Sequence, residues 1–148
     1  MQPGMSTKGM MMPAAPLPSS VPLDAAARAH LTRVSATVEG EIAGTYAGVR
    51  LADLVRAAGA PAGNVRGRAA AAYLAVHGSD GYIAIFSLPE LDSTVERCAP
   101  ILADTKGGAR IGADVGPLRV VAPCDRHASR SVRNVVALTI GSARPPQH

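Results

Sequence analysis

Aromatic side chains are scarce in this chain: three tyrosines, one phenylalanine and no tryptophan, 3% of 148 residues. Any core must come from Ala, Val, Leu and Ile, which bury less surface apiece than aromatic rings. The same scarcity removes the stacking platforms on which sheet proteins hold nucleic acid, so no nucleic-acid partner is expected. No apolar run reaches the length needed to cross a bilayer, and no membrane partner is expected. The N-terminus "MQPGMSTKGMMMPAAPLPSS" lacks the charged start and apolar stretch of an intact signal peptide. A cytoplasmic chain and one exported and then processed both stay open. Lysine is nearly missing as well: of 15 basic residues only Lys8 and Lys106 are lysines, and the net charge is +4. An arginine-heavy surface offers planar forks of donors suited to carboxylate or phosphate, which favours anionic partners. Two cysteines, Cys98 and Cys124, do not fix the redox compartment; they could pair, but the expectation is two free, half-buried thiols.

With 47% hydrophobic residues in 148, one domain with one core is the natural expectation. Methionine, proline and serine crowd the N-terminus, so residues 1–21 are expected as a tail, 22–141 as the domain and 142–148 as a second tail. Asp24 can cap a short helix in "DAAARAHL", and "RVSATVEG" alternates like a strand ending at Gly40. Gly44 and Gly48 bracket a short strand or turn, after which Leu51, Leu54 and Val55 repeat at helical spacing until Gly59 and Pro61. "NVRGR" reads as a turn, and "AAAYLAVHGSDGYIAIFSL" as a hairpin around "GSDG". Ser87 and Glu90 have the spacing of a capping box with Pro89 in the first turn. "TKGGARIGADVG" reads as a glycine-rich connection, and "PLRVVAP" and "VVALTI" as buried strands. Paired strands with short helices and no regular βαβ rhythm predict an α+β fold of mixed sheets.

The densest chemical signal is "RHASRSVRNVV", which places Arg126, His127, Arg130 and Arg133 just after an apolar strand. Arg130 and Arg133 are three apart, so a helical turn brings them onto one face. Ser129 and Ser131 add hydroxyls, and a turn starting there offers backbone N–H groups to an anion. The bland reading is a solvated edge whose arginines pair with Asp114, Asp125 or nothing. Arg119 alternates with Val120 on the preceding strand, so its side chain points away from that apolar neighbour. His127, Cys124 and Cys98 fall short of the four ligands of a tetrahedral zinc site, and no metal site is expected. His77 reads as a satisfied strand residue; Asp80 with Tyr82 could face a pocket, but "SDGY" reads first as hairpin chemistry. No catalytic constellation is legible.

Four segments in order resemble the molybdopterin-binding domain of the sulfite oxidase family. "ADVGPLRVVAPCDRHASRSVRNV" is similar to that family's "DxG-x-PLR-x-VVPG" strand and following small-Arg-Ser-Val-basic turn. "GTYAGVRLADLVRAAG" resembles its aromatic-x-Gly-Val-x-Leu-x-x-Leu helix, "SDGYIAIFSLPELD" its Asp-Gly-Tyr strand, and "PILADTKGGARI" its "LLA-x-x-x-NG-x-x-L" run. The resemblance spans roughly Val34 to Ile140 and implies the sulfite-oxidase type of molybdopterin-binding fold. It implies that Arg130, Ser131 and Arg133 grip the phosphate of a pyranopterin, Arg133 standing for a lysine, and that Tyr46 is the aromatic near the cofactor, or else a core plug. Arg126 and His127 complete the cofactor-binding set. The chain departs from the family at the metal: Glu39 and Gly40 stand where the molybdenum-ligating cysteine and its neighbour belong. A soft thiolate is what that metal calls for, so the ordinary sulfite oxidase reaction is not expected.

Three functions follow as expectations. The first is a stand-alone member of this fold, oxidoreductase-like by resemblance, with an arginine-lined pocket for an anionic small molecule or pterin phosphate. The second is a molybdopterin-dependent oxidoreductase subunit that binds the molybdenum cofactor without a protein thiolate and serves a redox partner protein. The third is a non-catalytic binding module. Whether the chain is an enzyme is left open by the residues.

Overall fold

The computed structural model describes residues 17–63, 67–92 and 96–143. Residues 64–66 of the expected turn over 64–68, and residues 1–16 and 144–148 of the tails expected over 1–21 and 142–148, lie outside the described residues. Two antiparallel sheets carry the chain. The first orders strands β1 (Ser20–Val21), β9 (Val135–Ser142), β4 (Ala72–Gly78) and β5 (Ile83–Ser87). The second orders β2 (Arg33–Val38), β3 (Gly44–Arg50), β6 (Ile101–Lys106) and β7 (Ala109–Arg110), with β8 (Arg119–Val121) also pairing with β6. The helices are α1 (Ala25–Ala29) and α2 (Leu51–Ala57), and short 3-10 turns cover Gly67–Ala71, Pro89–Leu91, Glu96–Cys98 and Ala128–Arg130. The α+β class is the one expected from the sequence, while every described strand pairing is antiparallel rather than mixed.

Local chemistry accounts for most boundaries. Asp24 caps α1 by accepting from the Ala27 amide at 3.0 Å. Ser87 and Glu90 form the reciprocal box: the Ser87 amide donates to Glu90 Oε2 at 2.8 Å, and the Glu90 amide donates to Ser87 Oγ at 3.3 Å. The "GSDG" hairpin joins β4 to β5, where Leu74 pairs with Phe86 and Val76 with Ala84. His77 is the strand residue expected, hydrogen-bonded to Thr139 Oγ1 at 2.8 Å.

The inner faces of both sheets share one core with α2. Leu74, Val76, Phe86 and Leu138 come from the first sheet, Val49, Leu102 and Val120 from the second, and Leu51, Leu54 and Val55 from the helix. A second cluster (Ala36, Val38, Tyr46, Ile101, Ala103 and Val121) lies on the opposite face of the second sheet. Strand alternation explains the split, because Leu102 faces one cluster while its neighbours Ile101 and Ala103 face the other. At Gly48, where the β3–β6 register shifts, any Cβ would run into the Leu102 carbonyl.

Three expectations are corrected. Ser20 and Val21, placed in the tail, form β1; Val21 pairs with Leu138 and is buried, because an apolar residue there completes the inner face. The glycine-rich connection contains a hairpin, since Gly107 and Gly108 both adopt positive φ (61° and 84°) and turn β6 tightly into β7. Cys98 and Cys124 are not free thiols but are bonded to each other. Ile101 pairs with Val121 on the β6–β8 ladder, and each cysteine lies three residues beyond its member of that pair. Continuing the antiparallel register sets them opposite one another, with Cα atoms 5.0 Å apart.

Candidate functional site

The segment from β8 to β9 folds back along β8 and is pinned at several points. The Val120 amide donates to the Val132 carbonyl at 2.9 Å, and the Val135 amide to the Leu118 carbonyl at 3.0 Å. Ser131 is 5% exposed, and its hydroxyl accepts from the Ala122 amide at 3.3 Å. From β8, Arg119 donates through Nε and Nη2 to the Ser131 carbonyl, at 3.3 and 3.2 Å. Tyr82, after the "GSDG" turn, donates its hydroxyl to the Ser129 carbonyl at 2.6 Å. Strand and hairpin thus hold the arginine-bearing turn in a fixed shape.

Within that shape the two arginines of the turn diverge. Arg130 makes a bidentate pair with Asp125, Nε to Oδ2 and Nη2 to Oδ1, both at 2.9 Å. Its Nη1 donates to Glu90 Oε1 at 2.7 Å and to the Ile85 carbonyl at 3.2 Å, and its guanidinium lies 4.3 Å from the Phe86 ring centroid. The Asp125 hydrogen bonds raise the Arg130 pKa further above its ordinary value against the opposing effect of burial, with Glu90 adding to the rise. Burial alone would push Glu90 up, but hydrogen bonds from the Ser87 amide and from Arg130 outweigh it and hold the carboxyl below its ordinary value. Arg130 is a structural clamp between two carboxylates and a strand carbonyl, and it does not line the cavity that holds Arg133.

Arg133 points elsewhere. It lines a cavity of about 270 Å³ together with Asp80, Tyr82, Arg119, Ser129 and Ser131. No described residue forms a hydrogen bond or ion pair with its side chain. Asp80, the one carboxylate in this lining, accepts from the Tyr82 amide at 3.0 Å. Arg119 and Arg133 therefore line one hollow beside a serine-rich turn, a composition that suits a small anion.

The other expected site residues lie apart from this hollow. Arg126 and His127 are exposed and line a smaller cavity of about 130 Å³ with Glu39, Glu41 and Asp125, so carboxylates offset the Arg126 charge. Ser131 borders both cavities. Glu41 also accepts from the Ala128 amide at 3.1 Å, which ties the turn to the β2–β3 loop. Tyr46 is 1% exposed in the second core cluster, and its hydroxyl donates to the Ile42 carbonyl at 2.7 Å. Its edge borders a third cavity with Lys106, Arg110 and Arg119, where Lys106 Nζ lies 5.5 Å from the ring centroid.

Arg119, Tyr82 and Ser129 belong to the hollow and stand outside the cofactor-binding set read from the sequence. For Arg119 a signal existed, its alternation with Val120; for Tyr82 the sequence left a pocket-facing alternative beside the turn reading of "SDGY", but not its contact 47 residues away. The residues fit the molybdenum cofactor only in part. Both sulfurs of the chain's cysteines are joined to each other, so they supply no thiolate. Among the described residues no cluster of three or more His, Cys, Asp or Glu side chains is placed to hold a metal ion. The phosphate end of the cofactor finds suitable donors in Arg119 and Arg133; the metal end does not find its usual ligand. No protein-family model matches this chain, and no curated protein matches it either.

Proposed function

We propose that this chain is a small domain of the sulfite-oxidase type of molybdopterin-binding fold that holds an anion in the hollow between Arg119 and Arg133. The anion is a phosphate group, carried by a pterin or by another small molecule. Thiolate-ligated molybdenum chemistry is not part of this reading, because Glu39 occupies the ligand's place in the resemblance and the cysteines are bonded. The observation that carries the proposal is the Arg133 side chain, unpaired among the described residues, on the same cavity as Arg119. Charge-assisted hydrogen bonds to such a group contribute about 1.5–3 kcal/mol each when partly buried.

Calorimetric titration with inorganic phosphate and with a pterin phosphate tests it. Saturable binding that weakens at least about tenfold in Arg133→Ala, or about 1.4 kcal/mol, supports the reading. Binding unchanged by that substitution removes the site. Molybdenum and pterin both near one per chain, in protein from a molybdenum-competent host, would replace it with a cofactor-bearing oxidoreductase subunit.

A further inference from the structure

We propose that the anion beside Arg119 and Arg133 is one end of a diphosphate, whose second phosphate lies beside Lys106. This rests on the phosphate reading of the hollow and extends it into the neighbouring cavity. That cavity has about 270 Å³, and its lining includes Tyr46, Lys106, Arg110, Asp114 and Arg119. Arg119 belongs to both linings.

Strand register brings the two cavities together. Arg119 pairs with Ala103 on the β6–β8 ladder, and Ala103 belongs to the second core cluster. Directly paired residues share a face, so Arg119 rises from the side of the second sheet that carries Tyr46. Tyr46 in turn pairs with Lys106 on the β3–β6 ladder, which sets Lys106 on that side too. The walls are fastened to each other. The Asn134 amide donates to the Val115 carbonyl at 2.6 Å, and Asn134 Nδ2 donates to the Asp114 carbonyl at 3.2 Å. Asp114 and Val115 line the second cavity, and Asn134 directly follows Arg133.

Both cations are positioned without being neutralised. Arg119 is anchored through Nε and Nη2 to the Ser131 carbonyl, which leaves its charge intact. The Lys106 stem lies across Gly44, where any Cβ would meet its Cε, and Nζ stands 5.5 Å from the Tyr46 ring centroid. Among the described residues neither Arg119 nor Lys106 forms an ion pair. Arg110 adds a cation at the edge of the second cavity, while Asp80 and Asp114 are the only carboxylates in the two linings.

The shared arginine selects the ligand. Two phosphates joined through one oxygen can bracket a single guanidinium, with Arg133 on one and Lys106 on the other. Each phosphate carries several acceptor oxygens, so it accepts from cations on more than one side, whereas a carboxylate has two in one plane. Joining the two groups makes the second contact intramolecular, and affinity rises over that of a monophosphate.

Calorimetry on the full chain, in metal-free buffer at constant ionic strength, compares inorganic phosphate, pyrophosphate and malonate. Pyrophosphate should bind at least tenfold more tightly than phosphate or malonate. Lys106→Met should remove that gain and leave phosphate affinity within twofold, with the thermal melt unchanged, and Lys106→Arg should restore it. Arg97→Gln, which removes a charge from neither lining, should leave the gain in place. Arg133→Ala should weaken phosphate and pyrophosphate alike. Arg133-dependent phosphate binding with no gain for pyrophosphate would overturn this proposal and leave the anion hollow standing; no Arg133-dependent binding of either would remove both. A gain that survives in Lys106→Met, a gain lost equally in Arg97→Gln, or malonate binding as tight as pyrophosphate would also overturn it.

Discussion

Opening the Cys98–Cys124 disulfide should destabilise the fold by an amount that the chain separation sets. The two cysteines are 26 positions apart, and a closed loop of that size restricts the unfolded chain by about 3.5 kcal/mol at 25 °C in the chain-entropy account. The native state should change little, since the ladder through Ile101–Val121 and Leu102–Val120 persists without the bond. The effect therefore resides mainly in the unfolded ensemble. Domains of this size commonly have about 5–15 kcal/mol in total, so the fraction lost is large. At roughly 3 °C per kcal/mol the midpoint should fall by about 10 °C. Urea unfolding of the oxidised chain, of the same chain held reduced, and of Cys98→Ser with Cys124→Ser measures this directly. The m value should rise in the two cystine-free forms, because their unfolded states expose more surface. A loss under about 1 kcal/mol in both would refute the reasoning and mean that the unfolded chain already keeps these segments together.

Arg130→Ala should cost about 1.5–3 kcal/mol, because it leaves Asp125 and Glu90 without their cation. Arg130→Lys should recover only part of that in a thermal melt, since an ammonium cannot reproduce the bidentate contact. Stability should decline in acid. Arg33, by hydrogen bond and by charge, holds Asp104 below its ordinary value against burial, and Glu90 is likewise depressed. Groups depressed in the folded state contribute fully above their unfolded values, near pH 4 to 4.5, and lose that contribution as pH falls through the folded values. Unfolding free energies at pH 7, 4 and 3 should show it, and a Glu90→Gln, Asp104→Asn variant should flatten the fall. Gly48→Ala should destabilise by several kcal/mol, because the new methyl meets the Leu102 carbonyl where the β3 and β6 backbones approach closely.

Local chemistry was legible in the sequence wherever it depends on near neighbours. The Asp24 cap, the Ser87–Glu90 box, the "GSDG" hairpin and the α2 periodicity each rest on residues within a turn or two, and each forms as read. What escaped depends on register between distant segments. The disulfide follows from the β6–β8 pairing, which no spacing in the sequence specifies. Arg130 and Arg133 share a motif, but the chain does not continue as a helix past Arg130, so their side chains part. Asp125 was a foreseeable partner for Arg130 at five positions' distance; Glu90, forty positions away, was not. Arg119 enters the hollow because the turn folds back over β8 and presents the Ser131 carbonyl to it. The sequence motif named a basic turn, and the tertiary structure decides which of its arginines remains available.

That division of labour between the arginines is the claim to test first. Amide-detected titration of the full chain with inorganic phosphate, run in parallel on Arg130→Ala and Arg133→Ala, separates clamp from ligand-binding group. The account predicts saturable shifts around Arg119, Ser129 and Arg133 that persist in Arg130→Ala and weaken at least about tenfold in Arg133→Ala. Phosphate binding lost in Arg130→Ala but intact in Arg133→Ala would contradict it.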